Sequence, residues 1–468
     1  MPVEVRPVRA RRDVTTFVRL PWRIHAPGGP WVPPLVREQR RTLDRRRNPF
    51  FAHAEAEYLL AWRGGEAVGR VSAHVDHRLN AWRGTRWGLW GFFECRDDPE
   101  AAHALLAAAE AWLGERGCDR MVGPMDFSVH GPCGLLVEGY ALAPQVLEPW
   151  HPPYYRTLVE GYGMTAAVTT LKWEQRLGDR ARLLPVIEEL AERLEPEHGV
   201  RIRHMDHRRL GAEVRRFARV YEAAWAHHWG FAPLTEAELR RYARDLRPVL
   251  DADWVLLAER GGEPVGVALG LPDYNQVLRA LDGRLLPLGW LRALRARGRI
   301  DEVRILALGV VPELRHAGVA AGLYVELFRT AARSRVRRAE AGWVLEMNED
   351  MNRAMEAVGA RLVKRHRFYE KALAEEGPRL RADAAPAVRR GAAQGAADRA
   401  QDTGGGTEGL RAAALADPVE GAGGRSRALG VVAGGDGRVG HGGSCSIGVS
   451  SVSAPIPITS NTGLDDLL

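Results

Sequence analysis

Residues 58–69 read YLLAWRGGEAVG and residues 255–266 read VLLAERGGEPVG, identical at nine of twelve positions across an offset of 197. Each copy is an apolar run, an Arg-Gly-Gly-Glu turn and a second apolar run. Glycine takes the positive φ that a tight hairpin turn needs, so both copies predict a β-hairpin. The parallel continues downstream. Trp87–Glu94 and Arg304–Val310 are strand-like, and each leads through a polar loop into a helical stretch, at 100–116 and 318–333. GPMDFS at 123–128 and GWVLEMN at 342–348 then read as extended. Short helical segments ending in glycine follow, LVEGYGM at 158–164 and AMEAVGA at 354–360, each before a last strand. The order helix, hairpin, strand, helix, strand, helix, strand occurs twice. It predicts two fused α/β units of about 180 residues, each with a mixed sheet.

The 468 residues are 46% hydrophobic and 27% charged, which suits folded units and excludes collagen-like or wholly disordered classes. No uncharged apolar run approaches the ~20 residues of a spanning helix. The basic stretch Met1–Arg12 has no apolar core of a signal peptide. A cytoplasmic protein without a membrane partner is the expectation. Cys95, Cys118, Cys133 and Cys445 form no CxxC pair, so neither a disulfide framework nor a metal site is expected. The net charge is +7, yet lysine occurs only at 172, 364 and 371. The arginines are scattered and do not interleave with aromatics, which argues against a nucleic-acid partner, while basic charge favours an anionic ligand. Every Phe, Trp and Tyr lies before residue 370. Residues 376–468 are rich in Ala, Gly, Ser and Arg, with GGG at 404–406, and predict a disordered tail that cannot offset its ordering entropy. The expected organisation is therefore 1–180, 181–375 and a tail at 376–468. The oligomeric state is left open.

Residues 304–323 of the second unit read RILALGVVPELRHAGVAAGL. A strand runs into Pro312, and the loop Glu313–Ala320 opens a helix. Small residues let backbone N–H groups approach a diphosphate, the helix N-terminus adds about half a positive charge, and Arg315 and His316 sit where cations help. The pattern RxxGxA after a strand ending in GVxPxxR resembles the acyl-CoA-binding motif of the GNAT superfamily of N-acyltransferases. WVLEMNEDMNRAMEAVGA at 343–360, with Asn348 eleven residues before Gly359, is similar to the family's acceptor-side strand and helix. The resemblance covers about 200–373 well, and 1–175 through the hairpin and element order. It implies tandem GNAT-like units with acetyl-CoA or another acyl-CoA as co-substrate. Leu308, Gly309 and Val310 would lie along the pantetheine, and the Val310 region would polarise the thioester carbonyl. Arg315, His316, Ala317, Gly318, Val319 and Ala320 would hold the diphosphate, and Asn348 joins the cofactor-binding set.

The loop at the corresponding place in the first unit is Glu94-Cys95-Arg96-Asp97-Asp98-Pro99-Glu100. It is a good helix start and a poor phosphate site, because its carboxylates occupy and repel the anion position. A degenerate first unit, serving as partner and acceptor-side wall, is the consequence. Direct acyl transfer also needs a base for the amine and an acid for the thiolate. The GNAT position that often carries a tyrosine acid is Met355 here, so Tyr369 is the substitute acid and Glu346 the candidate base. Cys133 is a weaker nucleophile candidate. The reading is an N-acetyltransferase acting on a small-molecule or peptide amine by direct attack. Met355 keeps alive a catalytically silent acyl-CoA binding or sensing protein. An aminoacyl-tRNA-dependent transferase is disfavoured by the intact RxxGxA loop.

Overall fold

A computed structural model of the chain describes residues 1–177 and 183–373; the tail expected at 376–468 lies outside the described residues. The first repeat supplies β1 (Val3–Pro7), β2 (Ala54–Arg63), β3 (Glu66–Asp76), β4 (Trp87–Cys95), β5 (Arg120–Gly123), β6 (Leu135–Glu138) and β7 (Thr165–Arg176). The second supplies β8 (Val200–His204), β9 (Val255–Arg260), β10 (Glu263–Pro272), β11 (Glu302–Val310), β12 (Arg338–Leu345) and β13 (Arg361–Ala372). The α/β class and the repeated element order are as expected.

Both Arg-Gly-Gly-Glu segments are hairpin turns, with φ of 59° and 81° at Gly64 and Gly65 and 58° and 85° at Gly261 and Gly262. Positive φ at both central residues matches the right-handed twist of the strands they join. Each hairpin is followed by a strand with an irregular register, β4 against β3 and β11 against β10. Each of these strands then pairs in parallel for only three or four residues, Trp87–Leu89 with β5 and Glu302–Ile305 with β12. Beyond that point β4 and β11 splay away from their parallel neighbours. The helices Pro99–Gly114 and Val319–Arg333 cover one face of their respective hairpins and bury Leu105, Leu106 and Leu113 in one case and Val319, Leu323 and Leu327 in the other.

All thirteen strands join one sheet, in the order β1-β2-β3-β4-β5-β13-β7-β12-β11-β10-β9-β8, with β6 beside β13. The two repeats have exchanged their last strands. β13 of the second repeat pairs with β5 of the first, and β7 of the first pairs with β12 of the second. The two exchanged strands also pair with each other over Arg361–Glu370 and Thr165–Glu174.

The extended reading of GPMDFS holds only as far as Gly123. Pro124 has no N–H to continue the ladder, and the chain folds back so that Met125 N donates to Trp90 O at 2.7 Å. The loop 124–134 therefore lies in the splay beside β4.

Candidate functional site

In the second repeat the splay stays open. Leu308, Gly309 and Val310 pair with Ala268, Val267 and Gly266 of β10 on one side. Among the described residues, no main-chain hydrogen bond closes their other edge, which faces the end of β12. Leu308 packs into the core beneath the helix Val319–Arg333, while Gly309 faces the opposite side. A Cβ on Gly309 would stand 2.2 Å from the Trp225 ring, so only glycine lets that indole cover the strand here.

The chain then turns through Pro312–Leu314 into Arg315, His316, Ala317 and Gly318. Gly318 adopts φ of 77° as N-cap of the helix, and Val319 and Ala320 are buried in its first turn. The first amides of a helix have no partner within it, so they point at whatever occupies this loop. Arg315 is half-buried and its Nε is buried without a hydrogen-bond partner. Burial and then the Arg315 charge push the His228 imidazole down to about 4, so the guanidinium lies near that ring. His316 is exposed. An open strand edge, unpaired amides and an orphaned guanidinium nitrogen fit the pantetheine and diphosphate of an acyl-CoA.

The equivalent features of the first repeat are filled. Asp98 caps the helix Pro99–Gly114 by accepting from Ala101 N at 3.1 Å, and Arg63 binds Asp98 and Glu100 at 3.0 and 2.8 Å. Its splay holds the Met125–Asp126 backbone, with Phe92 N donating to Asp126 Oδ1 at 2.6 Å. Side chains and loop of the protein itself stand where a CoA would lie.

The remaining expected residues fall elsewhere. Asn348 caps the helix Glu349–Ala357, accepting from Met351 N at 3.2 Å. Glu346 N donates to Thr169 O at 2.9 Å, and its carboxylate pairs with Arg365 on the surface. Tyr369 is buried in the first repeat's core, carried there by the exchanged β13, and its hydroxyl donates to Glu160 Oε1 at 2.9 Å. Along 308–320, Leu308, Gly309, Val310, Val319 and Ala320 are buried, Arg315 and Ala317 half-buried and His316 exposed, while Tyr369 lies on β13, with β7 and β12 between it and β11. Met355 is buried beneath the helix Val319–Arg333. The Cys133 thiol is buried, pushed up by that burial, and donates toward Val129 O at 3.7 Å, a poor setting for a nucleophile.

Sequence reading missed a buried polar seam between the repeats. Lys364 Nζ, almost wholly buried, lies 2.9 Å from Glu148 and 3.1 Å from Glu340. Lys172 lies 3.8 Å from both carboxylates and is pushed down to about 7 by burial and then by Arg304. Two of the three lysines of an arginine-rich chain meet here, which was the available signal. A second tie is His53, whose Nδ1 and Nε2 lie 3.1 Å from Asp76 and 3.3 Å from Glu238. Among the described residues no cluster of His, Cys, Asp and Glu is placed to hold a metal ion. No described helix is long and apolar enough to cross a membrane.

A bacterial ceramide synthase of Caulobacter vibrioides is 34% identical over 379 residues, covering 79% of this chain and 98% of that protein. The chain belongs to the bacterial ceramide synthase family. A protein named YghO from Escherichia coli is 30% identical over 374 residues, 78% of this chain and 95% of that one. No family model matches. Among solved structures, a tandem GNAT protein from the clavulanic acid biosynthesis pathway aligns with 80% of this chain and 99% of its own, at 13% identity and a TM-score of 0.48. A GCN5-related N-acetyltransferase from Sphaerobacter thermophilus aligns over 79% of this chain and 96% of its own, at 16% identity and a TM-score of 0.46. In this chain one α/β element order occurs twice, and its strands join a single mixed sheet.

Proposed function

We propose that the protein is an acyl-CoA-dependent N-acyltransferase whose donor is held by the second repeat. The observation that carries this reading is the unfilled splay of β11 next to the Arg315–Ala320 loop, set against the filled counterpart in the first repeat. Arg315 and the amides of Gly318, Val319 and Ala320 take the diphosphate, and the open edge of Leu308–Val310 takes the pantetheine amides. A main-chain N–H at the Val310 end polarises the thioester carbonyl; one such donor is worth about 3–4 kcal/mol to an oxyanion.

A ceramide is the amide of a fatty acid with a long-chain amino alcohol. By its relation to a ceramide synthase, this chain has a long-chain acyl-CoA as donor and an amino alcohol of the sphingoid class as acceptor. That reading narrows the small-molecule amine of the sequence stretch and replaces acetyl-CoA as the preferred donor. The test is release of CoA thiol from palmitoyl-CoA with sphinganine as acceptor, scored against a panel of short amines. Release confined to the short amines with acetyl-CoA would return the reading to an ordinary acetyltransferase. Saturable palmitoyl-CoA binding without any thiol release would leave the silent binding protein.

A further inference from the structure

The second repeat carries a segment that the first does without. Between the hairpin and the splayed strand the first repeat uses residues 77–86, whereas the second uses 273–301. The additional chain forms the helices Asn275–Leu281 and Gly289–Arg297, joined by 282–288. The joint is pinned at its base: Trp22 Nε1 donates to Asp282 Oδ1 at 2.9 Å, and Val36 N donates to Gly283 O at 3.2 Å. Gly289–Arg297 then lies on the core through buried Ala293, with Leu285 and Ala296 packed half-buried beside it.

Its outward side is apolar. Leu286, Leu288, Leu291 and Leu294 are between 40% and 63% exposed, and they are four of the eight large apolar side chains exposed among the described residues. At about 100° per residue, Leu291 stands about 160° round the helix from Ala293, and Leu294 follows about 60° from Leu291. Arginines border these leucines. Arg284, Arg292, Arg295, Arg297 and Arg299 are all exposed, and residues 283–300 contain no Asp or Glu. Among the described residues none of the five stands in an ion pair. On the helix Val319–Arg333, by contrast, Arg329 and Arg333 lie 3.4 and 2.9 Å from Glu326.

We infer that Gly289–Arg297, with Leu286 and Leu288 ahead of it, docks the protein on the surface of a bilayer that contains anionic lipid. The leucines enter the boundary between headgroups and hydrocarbon, and the arginines bind the phosphates beside them. An exposed apolar cluster of this density marks an interaction surface. The core of a protein interface is depleted of charge, whereas here unpaired cations sit among the leucines, and a lipid phosphate surface supplies their missing counterions.

The helix has nine residues. At about 1.5 Å per residue it is about 14 Å long, so it lies along one leaflet and does not reach across ~30 Å of hydrocarbon. The sequence expectation of no membrane partner rested on the lack of a spanning run and of a signal peptide. Both criteria look for a long uncharged stretch, and an interfacial helix with arginines on its flanks satisfies neither.

Co-sedimentation of the full chain with unilamellar vesicles tests the surface, with no CoA compound or amine present, so that failure of the acyl-transfer reading leaves the result untouched. The vesicles are phosphatidylglycerol and phosphatidylcholine in equal parts, compared with phosphatidylcholine alone. Saturable binding to the mixed vesicles is expected, at least tenfold weaker on phosphatidylcholine and in about 0.5 M salt, because attraction to an anionic surface falls off within a Debye length. The pair Leu291→Ser and Leu294→Ser, and separately the pair Arg292→Ser and Arg295→Ser, are each expected to weaken binding at least tenfold. All four side chains are exposed, so thermal unfolding is expected to stay unchanged; should the leucine pair unfold, the arginine pair decides. The charge-matched control Arg329→Ser with Arg333→Ser, on the helix Val319–Arg333, is expected to bind as the wild type does. No binding of the wild type to the mixed vesicles, undiminished binding by either folded pair, or an equal loss in the control overturns the inference. Light scattering without lipid covers the other occupant: a wild-type dimer that the leucine pair converts to a monomer would assign this face to a second copy and overturn the inference as well.

Discussion

At the scale of single residues, the contrast between Arg315 and Asp98 separates the repeats. Both stand at the start of a helix that follows the splayed strand. Asp98 satisfies its own helix amides, whereas Arg315 leaves a buried Nε unpartnered. Charge-assisted hydrogen bonds are worth about 1.5–3 kcal/mol, so Arg315→Ala is expected to weaken palmitoyl-CoA binding by roughly tenfold to a hundredfold at constant thermal stability. Calorimetric titration checks this, and an unchanged affinity would remove the loop from the donor site. Asp98→Ala removes a helix cap and is expected to cost about 1 kcal/mol of stability without creating CoA affinity. Lys364 is the other decisive residue. Replacing it by methionine leaves Glu148 and Glu340 facing one another without their nearer cation, and loss of one partner of a buried pair costs about 3–5 kcal/mol. Urea unfolding followed by tryptophan fluorescence measures the loss, and a shift under 1 kcal/mol would mean that Lys172 alone can hold both carboxylates. The strand, turn and helix around the RxxGxA segment were legible in sequence because their pattern is local. Lys364 and His53 were not, since each gains its role from partners 23 to 216 residues away.

Elements were legible where their pattern is local and lost where it depends on a distant partner. The Arg-Gly-Gly-Glu turns, β11 and the helix Val319–Arg333 follow from glycine placement and apolar periodicity. GPMDFS reads as a strand in isolation, yet it becomes a loop because the splay of β4 offers its amides a partner in Trp90 O. Tyr369 lies on a well-read strand, but its place in the first repeat follows from which sheet β13 joins. The helix Glu236–Leu246 is tied to the first repeat through His53 between Asp76 and Glu238. Burial alone would lower this imidazole; its hydrogen bonds to Asp76 and then Glu238 instead carry it up to about 9. The native state therefore binds the proton more tightly than the unfolded chain, whose histidine titrates near 6.5. The contribution is complete below pH 6.5 and fades as pH rises to about 9. The melting-temperature difference between the wild type and His53→Gln is expected to be largest near pH 6 and to shrink by pH 9.5. A difference independent of pH would show that the imidazole is held neutral.

For the whole molecule, the exchange of β7 and β13 makes each repeat part of the other's fold. We propose 1–180 and 181–375 as the repeat boundaries, and the exchange means that a repeat is a unit of sequence more than a unit of stability. Two α/β units with mixed sheets were predictable from the repeated order, but strand exchange was not, because nothing local in β7 or β13 says which neighbour each one joins. The polar seam ties the exchanged arrangement together: Lys172 comes from β7, Lys364 from β13, Glu340 from β12 and Glu148 from the loop of the first repeat. Taken alone, residues 181–373 would present β12 without β7 and would bury Glu340 with Lys364 but without Lys172 or Glu148. An unpaired strand edge of this kind templates aggregation. The expected outcome is that residues 181–373 expressed alone are insoluble, as are residues 1–180 alone. Expressed together as separate chains, the two are expected to co-purify as a one-to-one complex that unfolds in a single transition. Size-exclusion chromatography with light scattering and thermal unfolding checks both statements. A soluble monomer of either repeat, with a cooperative transition of its own, would show that β7 and β13 can return to their parent repeats and that the seam does not choose the exchanged fold.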